Sequence, residues 1–214
     1  MITVFREDAM ELDPHRTAIV AVHMQRDIMT AEGAFGGIFA AQASSRDVTG
    51  VTGKLLMTAR DAGATVVYTR VAWQPGYLDL VANSPLLAMV IQQNGLVEGS
   101  DMAQIVPELA PEAGDLVLTH QRVSGFSASQ LDTLLRSRGV DTVLFCGVAT
   151  NISVEGTARQ ASDLGYRTGV IADACSAADE HAHDAALASL GLLAEIVTSV
   201  AVIEALTRGA AASR

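Results

Sequence analysis

Residues 142–161 read TVLFCGVATNISVEGTARQA. Thr142 to Cys146 form a continuous apolar run, and Val154, Ala158 and Ala161 then recur at helical spacing ahead of Gly165. A run that is apolar throughout, rather than at alternate positions, marks a strand buried on both faces. A strand that feeds directly into a helix is the repeating unit of a parallel sheet.

The same pattern recurs on either side. Ala18 to Val22 (AIVAV), Thr65 to Val71 (TVVYTRV), Asp115 to Thr119, Thr168 to Ala172 and Ile196 to Thr198 are similar short runs. Between them, Val51, Leu55, Ala59 and Ala62 share one helical face that ends at Gly63. Leu131, Leu134 and Leu135 form another stripe, with Ser127 and Gln130 spaced as a capping box and Gly139 as the stop. Ala186, Leu187, Leu190 and Leu193 mark a further helix. Strand and helix alternate along the whole chain, which predicts an α/β fold with helices on both faces of a parallel sheet. No repeat or linker divides the chain, so residues 1–214 read as one domain, with a frayed tail over 209–214.

Composition narrows the function. Half of the 214 residues are hydrophobic (50%) and 18% are charged, which excludes disorder for the bulk of the chain. A net charge of −10 argues against nucleic acid as a partner, since phosphate binding needs clustered cations. No apolar run is long enough to span a bilayer, and MITVFREDAMELD at the start lacks the basic flank and apolar stretch of a signal peptide. No membrane role is expected. Cys146 and Cys175 lie in strand-like text and read as small buried hydrophobes, so a cytoplasmic setting is expected.

In a parallel sheet ligands bind beyond the carboxyl ends of the strands. His23 follows the first strand, in VHMQRDI, and His120 follows the third, in LTHQRVSGF. After the fourth, CGVATNIS enters a helix; with Asn151 as its cap, Ser153 falls in the first turn, beside backbone N–H groups that lack intrahelical partners. Such donors can hold a developing oxyanion, and the two imidazoles can serve as acid and base. Each residue also has an ordinary role: Ser as a cap, His as a solvated strand end. His15 and His181 read as surface residues, as does His183 unless it packs inward. GAFGG (Gly33 to Gly37) reads as a flexible lid or connector. Trp73 either lines a pocket or closes a turn ahead of Pro75.

AIVAVHMQRDI, LTHQRVSGF, GVATNISVEGTARQA and DACSA, in this order, resemble the isochorismatase-like hydrolases, the cysteine hydrolase superfamily that includes nicotinamidases and N-carbamoylsarcosine amidohydrolases. The resemblance runs from about Leu12 to about Leu206. It implies a three-layer α/β/α fold with a six-stranded parallel sheet, hydrolysis of an amide-like C–N bond or of a vinyl ether, and no metal or organic cofactor. It implies a small-molecule substrate and a homo-oligomer, a dimer or tetramer. It also implies an oxyanion hole around Val148, Ala149 and Ser153, with a cis peptide between the first two.

The departures fall on the chemistry. The family's Asp, Lys and Cys correspond to His23, His120 and Ser153. Lys54, the only lysine, sits in helical text and cannot replace the family Lys. An alcohol, unlike a thiolate, needs a base during attack, so His23 is expected to take the Ser153 proton and His120 to orient substrate or replace the cation. Two neighbouring imidazoles should resist double protonation. Arg122, Trp73, Phe126 and Gln25 are the candidate substrate-binding residues, Gln25 also as a support for the loop after the first strand. Asp27 is expected to act through structural hydrogen bonds. The pocket walls are expected from Ala31 to Ala43 and Val71 to Ser84. Two other readings stand beside hydrolysis through Ser153: acid/base chemistry without a covalent intermediate, and a non-catalytic binding or scaffold role.

Overall fold

β1 (Thr17–Val22) has no solvent-exposed residue and occupies the middle of the sheet. β2 (Thr65–Val71) and β4 (Thr142–Val148) flank it, both in parallel register: Val20 pairs with Val67 on one side and with Phe145 on the other. β3 (Leu116–His120) extends the sheet beyond β2, and β5 (Arg167–Ser176) and β6 (Glu195–Val197) extend it beyond β4. The result is a six-stranded, all-parallel sheet in the order β3-β2-β1-β4-β5-β6. The computed structural model describes residues 10–212. Residues 1–9 of the opening segment read against a signal peptide therefore lie outside the described residues.

The helices are α1 (Arg26–Met29), α2 (Gly36–Ser45), α3 (Val48–Ala62), α4 (Pro85–Gln92), α5 (Leu131–Ser137), α6 (Glu155–Asp163), α7 (Glu180–Leu190) and α8 (Ser199–Ala212). The chain moves outward from β1 to β2 in one direction and from β4 to β5 in the other. Right-handed crossovers then place α3 and α6 on opposite faces. α3 and α8 pack together on one side, and α6 packs with α7 on the other. Among the described residues no helix is long and apolar enough to cross a membrane.

Several boundaries differ from the sequence reading. β3 is an edge strand and alternates in exposure, with Val117 47% exposed and Leu118 9%, because only one of its faces is covered. α5 begins at Leu131 with Gln130 as its N-cap, whose side chain makes no capping bond; Ser129 Oγ, one residue earlier, accepts from the Leu131 N–H at 3.2 Å. Ser127 instead hydrogen-bonds Gln160. Leu193 lies past the end of α7 and is exposed. α8 continues through Ala212, so the stretch from Gly209 is helical as far as it is described, and Ala210 packs against the core.

Candidate active site

β1 and β4 are adjacent, yet the chain leaves them toward opposite edges. The gap beyond their carboxyl ends is the switch point at which such sheets bind ligands. His23 is the first residue after β1, with its φ at 54° in the left-handed region. That turn aims the imidazole across the strand ends instead of along β1. The backbone N–H of His23 donates to the Thr69 carbonyl of β2 at 2.9 Å. His120 is the last residue of β3, two strands away. The Nε2 atoms of the two rings are 2.9 Å apart, with ring centroids at 4.9 Å.

Ser153 enters from the other side. Gly147, near the end of β4, has φ 129°, and an added Cβ would collide with the Val22 carbonyl oxygen. Glycine there lets β4 pass close against the end of β1. The Val148–Ala149 peptide is cis. The chain then makes a π-helical turn over Thr150–Val154 before α6 begins at Glu155. Asn151 is therefore inside a wide helical turn and not its cap. Thr157 donates to the Ser153 carbonyl at 2.6 Å and accepts from the Gly125 N–H at 3.0 Å. These bonds fasten the Arg122–Phe126 loop to the turn that carries Ser153.

A cavity of about 60 Å³ lies between these elements. His23, Val148, Ala149, Ile152 and Ser153 form its floor, with Trp73, Arg122 and Val123 to the side. The remaining wall is apolar: Ile28, Phe35, Phe39, Val71, Leu86, Leu87, Val90 and Leu96. His120 stands behind His23 and does not line it. No hydrogen bond joins Ser153 Oγ to another side chain among the described residues. Among those residues, too, no three His, Cys, Asp or Glu side chains gather as a metal would require.

Burial governs the electrostatics. His23 and His120 are 3% and 2% exposed. Burial, and then the His120 charge, hold His23 well below the ordinary imidazole range. Burial brings His120 down to about 4, opposed in part by the Arg122 backbone. Both rings are thus neutral at pH 7. His120 Nδ1 has no partner at hydrogen-bonding geometry. The two cysteines are free, and burial pushes the Cys146 thiol up to about 12 and Cys175 upward as well.

The remaining candidates separate into wall, scaffold and bystander. Trp73 lines the cavity, its backbone N–H donating to the Leu96 carbonyl at 3.0 Å. Gln25 does not line it: its amide donates to the Val71 and Ala103 carbonyls and accepts from the Val71 N–H, each at 2.8 Å, so no polar atom is left for a ligand. Phe126 also lies outside, with its ring beside Tyr166 at 6.0 Å between centroids. Asp27 accepts from the Ala34 N–H at 3.0 Å and the Leu96 N–H at 2.6 Å, pinning two wall segments together. GAFGG is no loose lid. Gly36 opens α2, and a Cβ there would strike the Thr30 carbonyl oxygen.

The sequence reading missed α4, which supplies Leu86, Leu87 and Val90 to the wall. Its signal was present in Ser84–Pro85, a cap followed by a helix-opening proline; Ser84 Oγ accepts from the Leu87 N–H at 3.3 Å.

A six-stranded parallel sheet with an apolar pocket at its switch point defines an α/β domain of the kind whose ligands bind at the strand ends. Comparison with known proteins gives the family. The isochorismatase domain model matches residues 17–202. The chain is 33% identical over 210 residues to the ureidoacrylate amidohydrolase RutB of Pseudomonas syringae pv. syringae, covering 91% of this chain and 85% of that protein. A cysteine hydrolase structure from Pseudomonas syringae pv. phaseolicola superposes with a TM-score of 0.84 at 27% identity, over 96% of this chain and 98% of that one. The N-carbamoylsarcosine amidase from Thermoplasma acidophilum gives a TM-score of 0.67 at 29% identity, over 86% and 96%. The protein belongs to the isochorismatase family.

Proposed function

We propose that the protein hydrolyses an amide-like C–N bond in a small molecule, with Ser153 as nucleophile and His23 as its base. The observation that carries this is the short His23–His120 contact at the floor of a cavity that Ser153 also lines. RutB and the N-carbamoylsarcosine amidase point to ureido compounds as the first substrates to try.

Because His23 Nε2 is engaged with His120, Nδ1 is the nitrogen left to serve the cavity. It is a base only if His23 carries its proton on Nε2 and donates it to His120 Nε2. His120 then carries its own proton on Nδ1, beside the Arg122 backbone. In the forward step Ser153 Oγ attacks the carbonyl carbon, its proton passes to His23 Nδ1, and the oxyanion is held by backbone N–H groups of the Ala149–Ser153 turn. The same proton then goes to the departing nitrogen as the C–N bond breaks. Water, deprotonated by His23, releases the acyl group from Ser153. Arg122 at the cavity side binds a substrate carboxylate.

The absence of a Ser153–His23 hydrogen bond favours a second reading, in which His23 activates water directly. Ureidoacrylate and an N-carbamoyl amino acid assayed with wild type and Ser153→Ala separate the two. Complete loss of turnover, with a serine-directed electrophile adding its mass to Ser153 of wild type, supports covalent catalysis. Retained turnover in Ser153→Ala assigns the reaction to water, and no turnover in either protein favours a binding role.

A further inference from the structure

Below the Ser153 turn lies a buried imidazole that the chemistry above does not use. His183, on α7, is 1% exposed. Its Nε2 is 2.9 Å from Nη2 of Arg46, and its Nδ1 is 2.8 Å from Oγ1 of Thr150. Arg46 follows the last residue of α2, and its Nε also donates to the Cys175 carbonyl at 3.1 Å. Thr150, with no exposed surface, opens the π-turn immediately after the cis peptide.

The direction of this chain is fixed by chemistry. A guanidinium only donates and stays charged, so His183 Nε2 must accept from Arg46. A ring that accepts at Nε2 carries its proton on Nδ1, and that proton goes to Thr150 Oγ1. The neighbouring cation also disfavours a second ring proton, in line with the lowering of His183 to about 4, to which burial contributes most. The order Arg46 to His183 to Thr150 therefore has one polarity and one tautomer.

We propose that His183, locked as its Nδ1–H tautomer by Arg46, is a positioning residue that holds Thr150 and thereby sets the geometry of the turn bearing Ser153. Arg46 adds a link from α2, whose Phe39 is part of the cavity wall, so the wall and the nucleophile turn share one anchor. For its effect on turnover this inference rests on the proposed hydrolysis; for the tautomer and the order of the turn it does not.

The test combines three measurements on the full chain. Nitrogen-15 NMR of histidine-labelled protein at pH 6 to 8 is expected to find His183 with Nε2 bare and Nδ1 protonated. The opposite tautomer, or a protonated ring, overturns the proposal whatever the activity. Amide exchange over residues 150–154 is expected to quicken in His183→Phe and to return toward wild type in His183→Asn, whose amide N–H can stand in for Nδ1–H. Unchanged exchange in His183→Phe also overturns it. On a ureido compound that wild type turns over, His183→Phe should lose about 10- to 100-fold in kcat with KM within about 2-fold, as for a small misplacement of a reacting group. His183→Asn should recover most of the loss, and Thr150→Val should add little to His183→Phe. Equal kcat in His183→Phe and wild type rules out positioning. If wild type shows no turnover, the hydrolytic reading fails by itself, and NMR and exchange still decide the anchor.

Discussion

His23 and His120 face each other Nε2 to Nε2 at 2.9 Å, so a single proton occupies the space between them. A second would set two N–H donors against each other with no acceptor between them. This makes the pair one titrating unit rather than two independent histidines. It also divides the labour. His23 meets the cavity, and His120 fixes which of its nitrogens is free.

Removing His120 tests that division. His120→Phe leaves His23 free to adopt either tautomer, and kcat on a ureido compound should fall by about 100-fold or more, within the range for a misdirected general base. KM should change little, because His120 does not line the cavity. The His120 charge is one of the two causes that lower His23, so its removal raises the His23 pKa. The acid limb of kcat/KM should then move to higher pH. A limb that stays in place in His120→Phe contradicts the coupling.

Acid should also unfold the protein through these groups. His120 falls from 6.5 to about 4 in the folded state, so between those values the unfolded chain binds more protons than the native one. Stability is therefore complete above about pH 6.5 and is lost as pH falls toward 4. His23 and His183 shift in the same direction, so the three imidazoles lose stability together in this window. Urea unfolding at pH 7 and pH 4.5 measures it. The His120→Phe protein should show a smaller difference between the two.

Asp27 offers a test of the wall. Its two carboxylate oxygens accept from Ala34 and Leu96, so Asp27→Asn must point an N–H at one of these donors. The expected cost is about 1–3 kcal/mol in urea unfolding, with a higher KM because Phe35, Leu96 and Trp73 lose their common anchor. Wild-type KM in a destabilised Asp27→Asn would confine the residue to folding.

The sheet was readable in the sequence because β1, β2 and β4 carry their burial as unbroken apolar text. β3 was misjudged on exposure, since the number of covered faces depends on strand order and not on the strand itself. The three polar residues at the strand ends were visible because the topology rule says where to look. Their contact was not, because the left-handed turn at His23 is a property of one φ angle that no neighbouring residue announces. The π-turn was read as an ordinary capped helix for a similar reason: Asn151 is a good cap, and the contact of Thr150 with His183 across the fold is not announced by the local sequence. The sequence leaves His183 between surface and inward packing, and it packs inward; the choice is not legible because its partners, Arg46 and Thr150, lie 137 and 33 positions away. Gln25 and Phe126 were credited to the substrate because proximity in sequence to His23 and Arg122 does not say which way a side chain turns.

Gly147 joins the fold to the site most directly. It sits opposite Val22 in the sheet, one residue before the cis peptide and one residue short of His23 on the neighbouring strand. In Gly147→Ala the new methyl meets the Val22 carbonyl, and φ 129° is strained for any residue with a Cβ. Neither strand can retreat, because each is buried between further strands. The expected cost is about 3 kcal/mol or more, with lost turnover even where folded protein is recovered, since relief requires β4 to move away from His23. Gly53→Ala is the control: an added Cβ there meets only the Leu109 side chain, at 3.6 Å, and α3 should keep or gain stability. A Gly147→Ala protein with wild-type melting and turnover would mean that the β1–β4 approach is looser than the register requires, and with it the placement of Ser153 against His23.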